Sequence, residues 1–142
     1  MAQSGTNRVR KLTRNSDQKQ ILLNESAIVM CVANTSNIAY SDITYEAGPN
    51  RNVTVTFRKS MASLRHGTEN LILVTYNGVS TLINATRILN TFSADGDEDT
   101  AAQVVYNMKG DGASTRTLLL SQTLQNVKDL VDALGNLAAS VS

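Results

Sequence analysis

From residue 53 to residue 58 the chain reads Val-Thr-Val-Thr-Phe-Arg, an unbroken alternation of apolar and polar side chains. A period of two fits an extended strand and no helix, because successive Cβ atoms point to opposite faces of a sheet. Val53, Val55 and Phe57 therefore share an apolar face, and Thr54, Thr56 and Arg58 a polar one. A strand with one dry and one wet face belongs to an antiparallel sheet covered on one side only.

The rest of the chain is punctuated to match. Asn70 to Tyr76 is a second strand, and Asn77-Gly78 follows it directly. These two residues tolerate positive φ, which a tight type I′ hairpin turn demands. The returning strand is expected within Ser80 to Phe92. Leu82, Ala85, Leu89 and Phe92 also fit a helical stripe there, but the hairpin favours a strand. Ser26 to Ala33 is apolar on both faces, as a buried strand would be, and Asn34-Thr35-Ser36-Asn37 breaks it. Ile38 to Glu46 and Ala102 to Lys109 are further strands, with stops at Gly48-Pro49-Asn50 and Gly110-Asp111-Gly112. Residues 60–69 read as a loop, and Ser93 to Thr100 as an acidic loop. At the N-terminus a basic segment, Asn7 to Arg14, a turn at Asn15-Ser16-Asp17 and Ile21-Leu22-Leu23 predict a basic hairpin or arm over 1–24.

Residues 114–140 read as a helical segment, with Ser114 or Thr115 as N-cap. Leu120, Leu124, Val127, Val131, Leu134 and Ala138 recur at spacings of three and four, Leu130 and Leu137 widen the stripe, and Gly135-Asn136 is a place to kink or divide it. Strands over 26–109 followed by a terminal helix make a single α+β domain. No internal repeat stands out in the sequence.

At 142 residues, 42% hydrophobic and 18% charged, the chain is globular and sized for one core. The net charge is only +1, but it is unevenly placed. Residues 1–65 hold nine Lys/Arg against four Asp/Glu, and residues 66–142 hold four against eight. Such a chain can turn a basic face to a polyanion, and the same asymmetry favours head-to-tail contacts between copies. Cys31 is the only cysteine, so no intrachain disulfide forms, and its apolar run predicts a buried inert thiol. His66 reads as a solvated loop residue. No phosphate loop, nucleophile–base arrangement or metal-spaced Cys/His cluster points to catalysis, so an enzyme, a cofactor and a small-molecule substrate are not expected. Asp95, Asp97 and Asp99 resemble the start of a calcium loop, but Thr100 and Tyr106 stand where glycine and glutamate are required. No segment is long and apolar enough for a membrane span. With no secretory signal expected either, the sequons at Asn24, Asn34, Asn52 and Asn84 read as chance and the protein as cytoplasmic.

The polar strand face carries the most chemical information. Threonine hydroxyls can hydrogen-bond phosphate, ribose and base edges, Arg58 can pair with a phosphate in bidentate fashion, and Lys59 adds charge at the strand end. A flat sheet can present these groups to a folded RNA with unpaired bases. From this strand alone the simpler reading is a plain solvent-facing β surface, since threonine is a good strand former. The helix stripe Leu120, Leu124, Val127, Val131 and Leu134 either packs on its own sheet or crosses to a second subunit.

Taken together, the long strand Val53-Thr54-Val55-Thr56-Phe57-Arg58-Lys59-Ser60, the loop to Glu69, the hairpin at Asn77-Gly78, the acidic loop, the strand Ala102–Lys109 and the helical C-terminus resemble the coat proteins of single-stranded RNA bacteriophages. The resemblance covers the C-terminal two thirds; the first 50 residues are longer and more basic than that family's opening hairpin. It implies an intertwined homodimer, a continuous sheet facing single-stranded RNA, helices interlocked outside, and dimers built into an icosahedral shell assembled in a host cytoplasm. It also implies binding of a genomic hairpin as a translational repressor. On this likeness Thr54, Thr56 and Arg58 match RNA-contacting positions, and Thr75 and Asn77 fall on the neighbouring strand. The alternatives are a tail-tube or connector subunit without RNA, and a small dimeric cellular RNA-binding protein.

Overall fold

The computed structural model describes residues 9–48, 51–93, 96–97, 99–109 and 114–140, with side chains up to 134. The first half of the chain forms a hairpin of β1 (Val9–Thr13) and β2 (Gln20–Asn24), a 3-10 turn at Glu25–Ala27, and strands β3 (Ile28–Ala33), β4 (Ser41–Gly48) and β5 (Arg51–Phe57). It closes with a one-turn helix, α1 (Met61–Arg65). The second half runs through the same series. A hairpin of β6 (Leu71–Tyr76) and β7 (Val79–Asn84) leads to a 3-10 turn at Ala85–Arg87, then to β8 (Ile88–Ser93), β9 (Ala101–Asn107), β10 (Thr115–Thr123) and α2 (Leu124–Ser140).

This is an internal duplication, contrary to the expectation from the sequence, and it holds residue by residue. Pairings Ile28↔Tyr45, Met30↔Thr44 and Cys31↔Ile43 recur as Ile88↔Tyr106, Asn90↔Val105 and Thr91↔Val104, with the bulge at the same place. The bridge Arg14↔Phe57 recurs as Tyr76↔Leu120. Asn24 and Asn84 each cap their 3-10 turn, accepting from Ser26 N and Thr86 N. Ser60 and Thr123 each accept a backbone N–H three residues on, both at 3.1 Å, where a helix start needs an acceptor.

The halves join into one antiparallel sheet of order β5-β4-β3-β7-β6-β10-β9-β8. The seam is β3 against β7, with Met30↔Ile83, Cys31↔Leu82 and Val32↔Thr81. At the seam both faces are dry. Leu82 belongs to one core with Leu12, Ile28, Cys31, Ile43, Phe57 and Leu64, while its neighbour Ile83 belongs to the other with Val74, Val104, Tyr106, Leu118 and Val127. That explains the run from Ile28 to Ala33, apolar on both faces.

Polar groups tie the seam as well. The Asn84 side-chain amide donates to Glu25 O and Ile28 O, both at 3.0 Å. Arg87, 6% exposed, donates to Ile28 O at 3.2 Å and pairs with Glu46. The Tyr106 hydroxyl donates to Val29 O and accepts from Asn84 N, and burial pushes its pKa up. Glu25 lies wholly buried under the segment that links the halves, with Arg10 beside it.

Several expectations are met. The first hairpin exists, Gln18 takes a positive φ in its turn, and Asn77 and Gly78 take φ of 53° and 75°. The alternation of β5 is observed, with Phe57 fully buried and Thr54 exposed. Other expectations are corrected. Residues 115–123 are a strand, not the start of the helix: Leu118 and Leu120 are buried while Leu119 is 58% exposed, a period of two. The helix begins at Leu124, so Leu120 is not on its face; Val127 is buried, Leu134 half-buried and Val131 exposed. The helix continues past Gly135-Asn136 to Ser140 without division. Residues 60–69 contain α1; the returning strand expected within Ser80–Phe92 is present as β7 and ends at Asn84, before the 3-10 turn at Ala85–Arg87. Residues 1–8 and 49–50, and the side chain of Ala138, lie outside the described set.

Candidate nucleic-acid interface

β5 and β4 pair along their whole length, which sets Thr54 opposite Thr44 and Thr56 opposite Asp42. Directly opposed residues share a face and touch. The Thr54 and Thr44 hydroxyls lie 2.8 Å apart, and Thr56 donates its hydroxyl to Asp42 Oδ1 at 2.6 Å. Asn34 Nδ2 donates to the same oxygen at 3.0 Å. The donor of Thr56 is thus already used, and an acid stands beside it. A phosphate is repelled at this point, while Thr54 and Thr44 remain open to polar contact.

The positive charge gathers at the other end of the strand. β1 reaches β5 through Arg58 N donating to Thr13 O at 2.8 Å and Asn15 N donating to Thr56 O at 2.9 Å. This contact places Lys11, Thr13, Arg58, Lys59, Ser60 and Ser63 around an open groove of about 430 Å³. Arg58 is held at its root: Nε donates to Asn15 Oδ1 at 3.1 Å, and the guanidinium carbon sits 5.9 Å from the centroid of the Tyr40 ring. A guanidinium steadied by an amide on one nitrogen and a ring on its face keeps its fork for an anion. Lys11 and Thr13 were not among the residues singled out in the sequence. The only signal for them was the basic run Asn7 to Arg14, since the β1–β5 contact spans some forty residues of chain.

Thr75 and Asn77 do not join this group. β6 lies four strand spacings from β5, about 19 Å. The register also sets Val74 on the face of Thr56, so the Thr75 side chain points to the opposite one, where its hydroxyl accepts from Gln122 Nε2 at 3.4 Å. Asn77 is exposed in its turn. Of the acidic loop, Asp95 lies outside the described residues, and among the described ones no group of three His, Cys, Asp or Glu converges on a metal-sized site.

Cys31 lies in the core between β4 and β7, 1% exposed, and burial pushes its thiol up to about 12. The thiolate is the reactive species. Labelling of the native protein with DTNB at pH 8 should therefore be slower than labelling in guanidinium chloride by orders of magnitude. Rapid native labelling would mean that the β3–β7 seam opens readily.

Compared with family models, with characterised proteins and with solved structures, the chain shows no significant match to any.

Proposed function

We propose that this chain is a self-assembling coat subunit that packages single-stranded RNA. The observation that carries the reading is the groove of Lys11, Arg58 and Lys59, set at the end of β5, whose Thr54 is exposed, in the basic half of the molecule. Backbone charge dominates affinity for nucleic acid, while hydroxyls and a flat β surface accommodate bases. The intertwined homodimer suggested by the phage resemblance belongs to the same proposal. Its helix is α2, where Val127, Leu130 and Leu134 pack on the sheet and Val131 is 36% exposed.

The test is electron microscopy of the chain expressed alone in bacteria, with the 260/280 nm absorbance ratio read on the same fraction. Uniform shells rich in nucleic acid are expected. In the variant Lys11→Ala/Arg58→Ala/Lys59→Ala, shells should persist with much less RNA. The salt slope of RNA binding, log K against log salt, should fall by about 2–3, close to one unit per lost phosphate contact. Unchanged RNA content would remove the groove from the reading. Tubes or rings free of nucleic acid would favour a tail or connector component, and an RNA-bound dimer without particles a cellular RNA-binding protein.

A further inference from the structure

The duplication leaves each end of the molecule unfinished in a complementary way. Inside the chain, β7 of the second half pairs with β3 of the first. Their counterparts are β2 and β8. β2 pairs with β1 alone, and β8 is the outermost strand of the sheet.

The side chains repeat the pattern. In the first half the space between β3 and α1, walled by Ile28, Cys31 and Leu64, is filled by Leu71 and Leu82, which are 2% and 0% exposed. In the second half the matching space, between β8 and α2, is an open cleft of about 400 Å³ walled by Ile88, Thr91, Leu124, Val127 and Val131. The counterparts of Leu71 and Leu82 are Val9 and Leu22, which are 54% and 73% exposed. One end of the molecule thus carries two apolar knobs without a hole, and the other a hole without knobs.

The polar staple recurs too. Asn84 caps its turn with Oδ1 and sends its amide across the seam to Glu25 O and Ile28 O. Asn24 makes the same cap and is exposed, and no described residue accepts from its amide. Charge agrees: the knobs lie in the basic half and the hole in the acidic half.

We infer that a second copy of this chain docks head to tail, β2 of one molecule adding antiparallel to β8 of the next, with Leu22 and Val9 seated in the β8–α2 cleft. Transferring the internal register gives Asn90 opposite Leu23, Thr91 opposite Leu22, and Phe92 opposite Ile21. Such a contact joins unlike surfaces and leaves both ends free to repeat, so it closes into rings or runs on as a filament. This deepens the self-assembly reading above and rests on it: a twofold dimer contact alone stops at two, and a shell needs a second contact of this kind.

Two single variants test it, Leu22→Cys and Thr91→Cys, with the native Cys31 buried out of reach. Mixed in equal amounts under mild oxidation and run on a non-reducing gel, they should give a disulfide-linked dimer that neither variant gives alone. No dimer in the mixture would overturn the inference, as would an equal yield from Thr91→Cys alone, which signals two β8 edges meeting. In parallel, Leu22→Lys should reduce particles to small species by light scattering while its circular-dichroism melt stays that of the parent. Particles that survive Leu22→Lys would sink the head-to-tail contact and leave the coat reading standing. A parent chain that stays monomeric at every concentration would sink both.

Discussion

Glu25→Ala is expected to destabilise the folded chain by about 3–5 kcal/mol, the cost of breaking a buried ion pair from one side. Glu25 is fully buried, and its carboxylate accepts from Arg10 Nη1 at 2.8 Å, Thr68 Oγ1 at 2.7 Å, Glu69 N at 3.0 Å and Asn70 N at 2.9 Å. Three of these donors lie on the segment between the halves, and the fourth sits on β1. Arg10 in turn donates to Leu64 O at 2.9 Å and Ser63 O at 3.2 Å, at the end of α1. Alanine would leave a guanidinium 5% exposed without its counter-ion, and the linker without its main acceptor. Glu25→Gln keeps the shape and loses the charge, so it should cost less. Urea unfolding followed by circular dichroism reads both; a loss under about 1 kcal/mol for alanine would show that this hub is not what fastens the halves.

The second large effect is a contrast between two equivalent leucines. Leu82→Ala should cost about 2–5 kcal/mol, because the side chain is fully buried between β3 and α1 and its removal leaves a cavity. Leu22→Ala, at the duplicated position but 73% exposed, should change the stability of the isolated chain by less than about 0.5 kcal/mol. Assembly should respond in the opposite order, with Leu22→Ala abolishing large particles. Equal stability losses for the two would mean that Leu22 is already covered within a single chain.

Much of the sheet was legible because its signals are local. The alternation of Val53 to Arg58, the Asn77-Gly78 turn and the apolar run around Cys31 each fix a strand or a turn from a few neighbouring residues. The leucine triplet Leu118-Leu119-Leu120 misled for the same reason. With apolar groups at consecutive positions, Leu120, Leu124 and Val127 complete a helical stripe while Leu118 and Leu120 complete a strand face, and only the packing of β10 between β6 and β9 decides. The duplication was hidden because its halves share register and element order but few identities. Leu22 and Leu82, Asn24 and Asn84, Ile28 and Ile88, and Tyr45 and Tyr106 are among those that survive, whereas the corners read Glu-Ser-Ala and Ala-Thr-Arg. At the candidate interface, Thr54 and Arg58 could be placed from alternation alone. Lys11 could not, since its approach to Arg58 depends on a long-range strand contact. Thr75, matched by resemblance to a strand beside β5, lies four strands away, and its face depends on register carried across three intervening strands.

The seam between β3 and β7 has one property that the proposed contact between molecules lacks, a covalent tether. Within a chain the linker holds the two edges at an effective concentration of roughly millimolar or more, so that contact is saturated in every folded molecule. A contact of the same make between separate molecules has only bulk concentration to drive it. One edge design would then serve twice, permanently inside the chain and conditionally outside it. Assembly would begin only once synthesis has raised the subunit above a threshold.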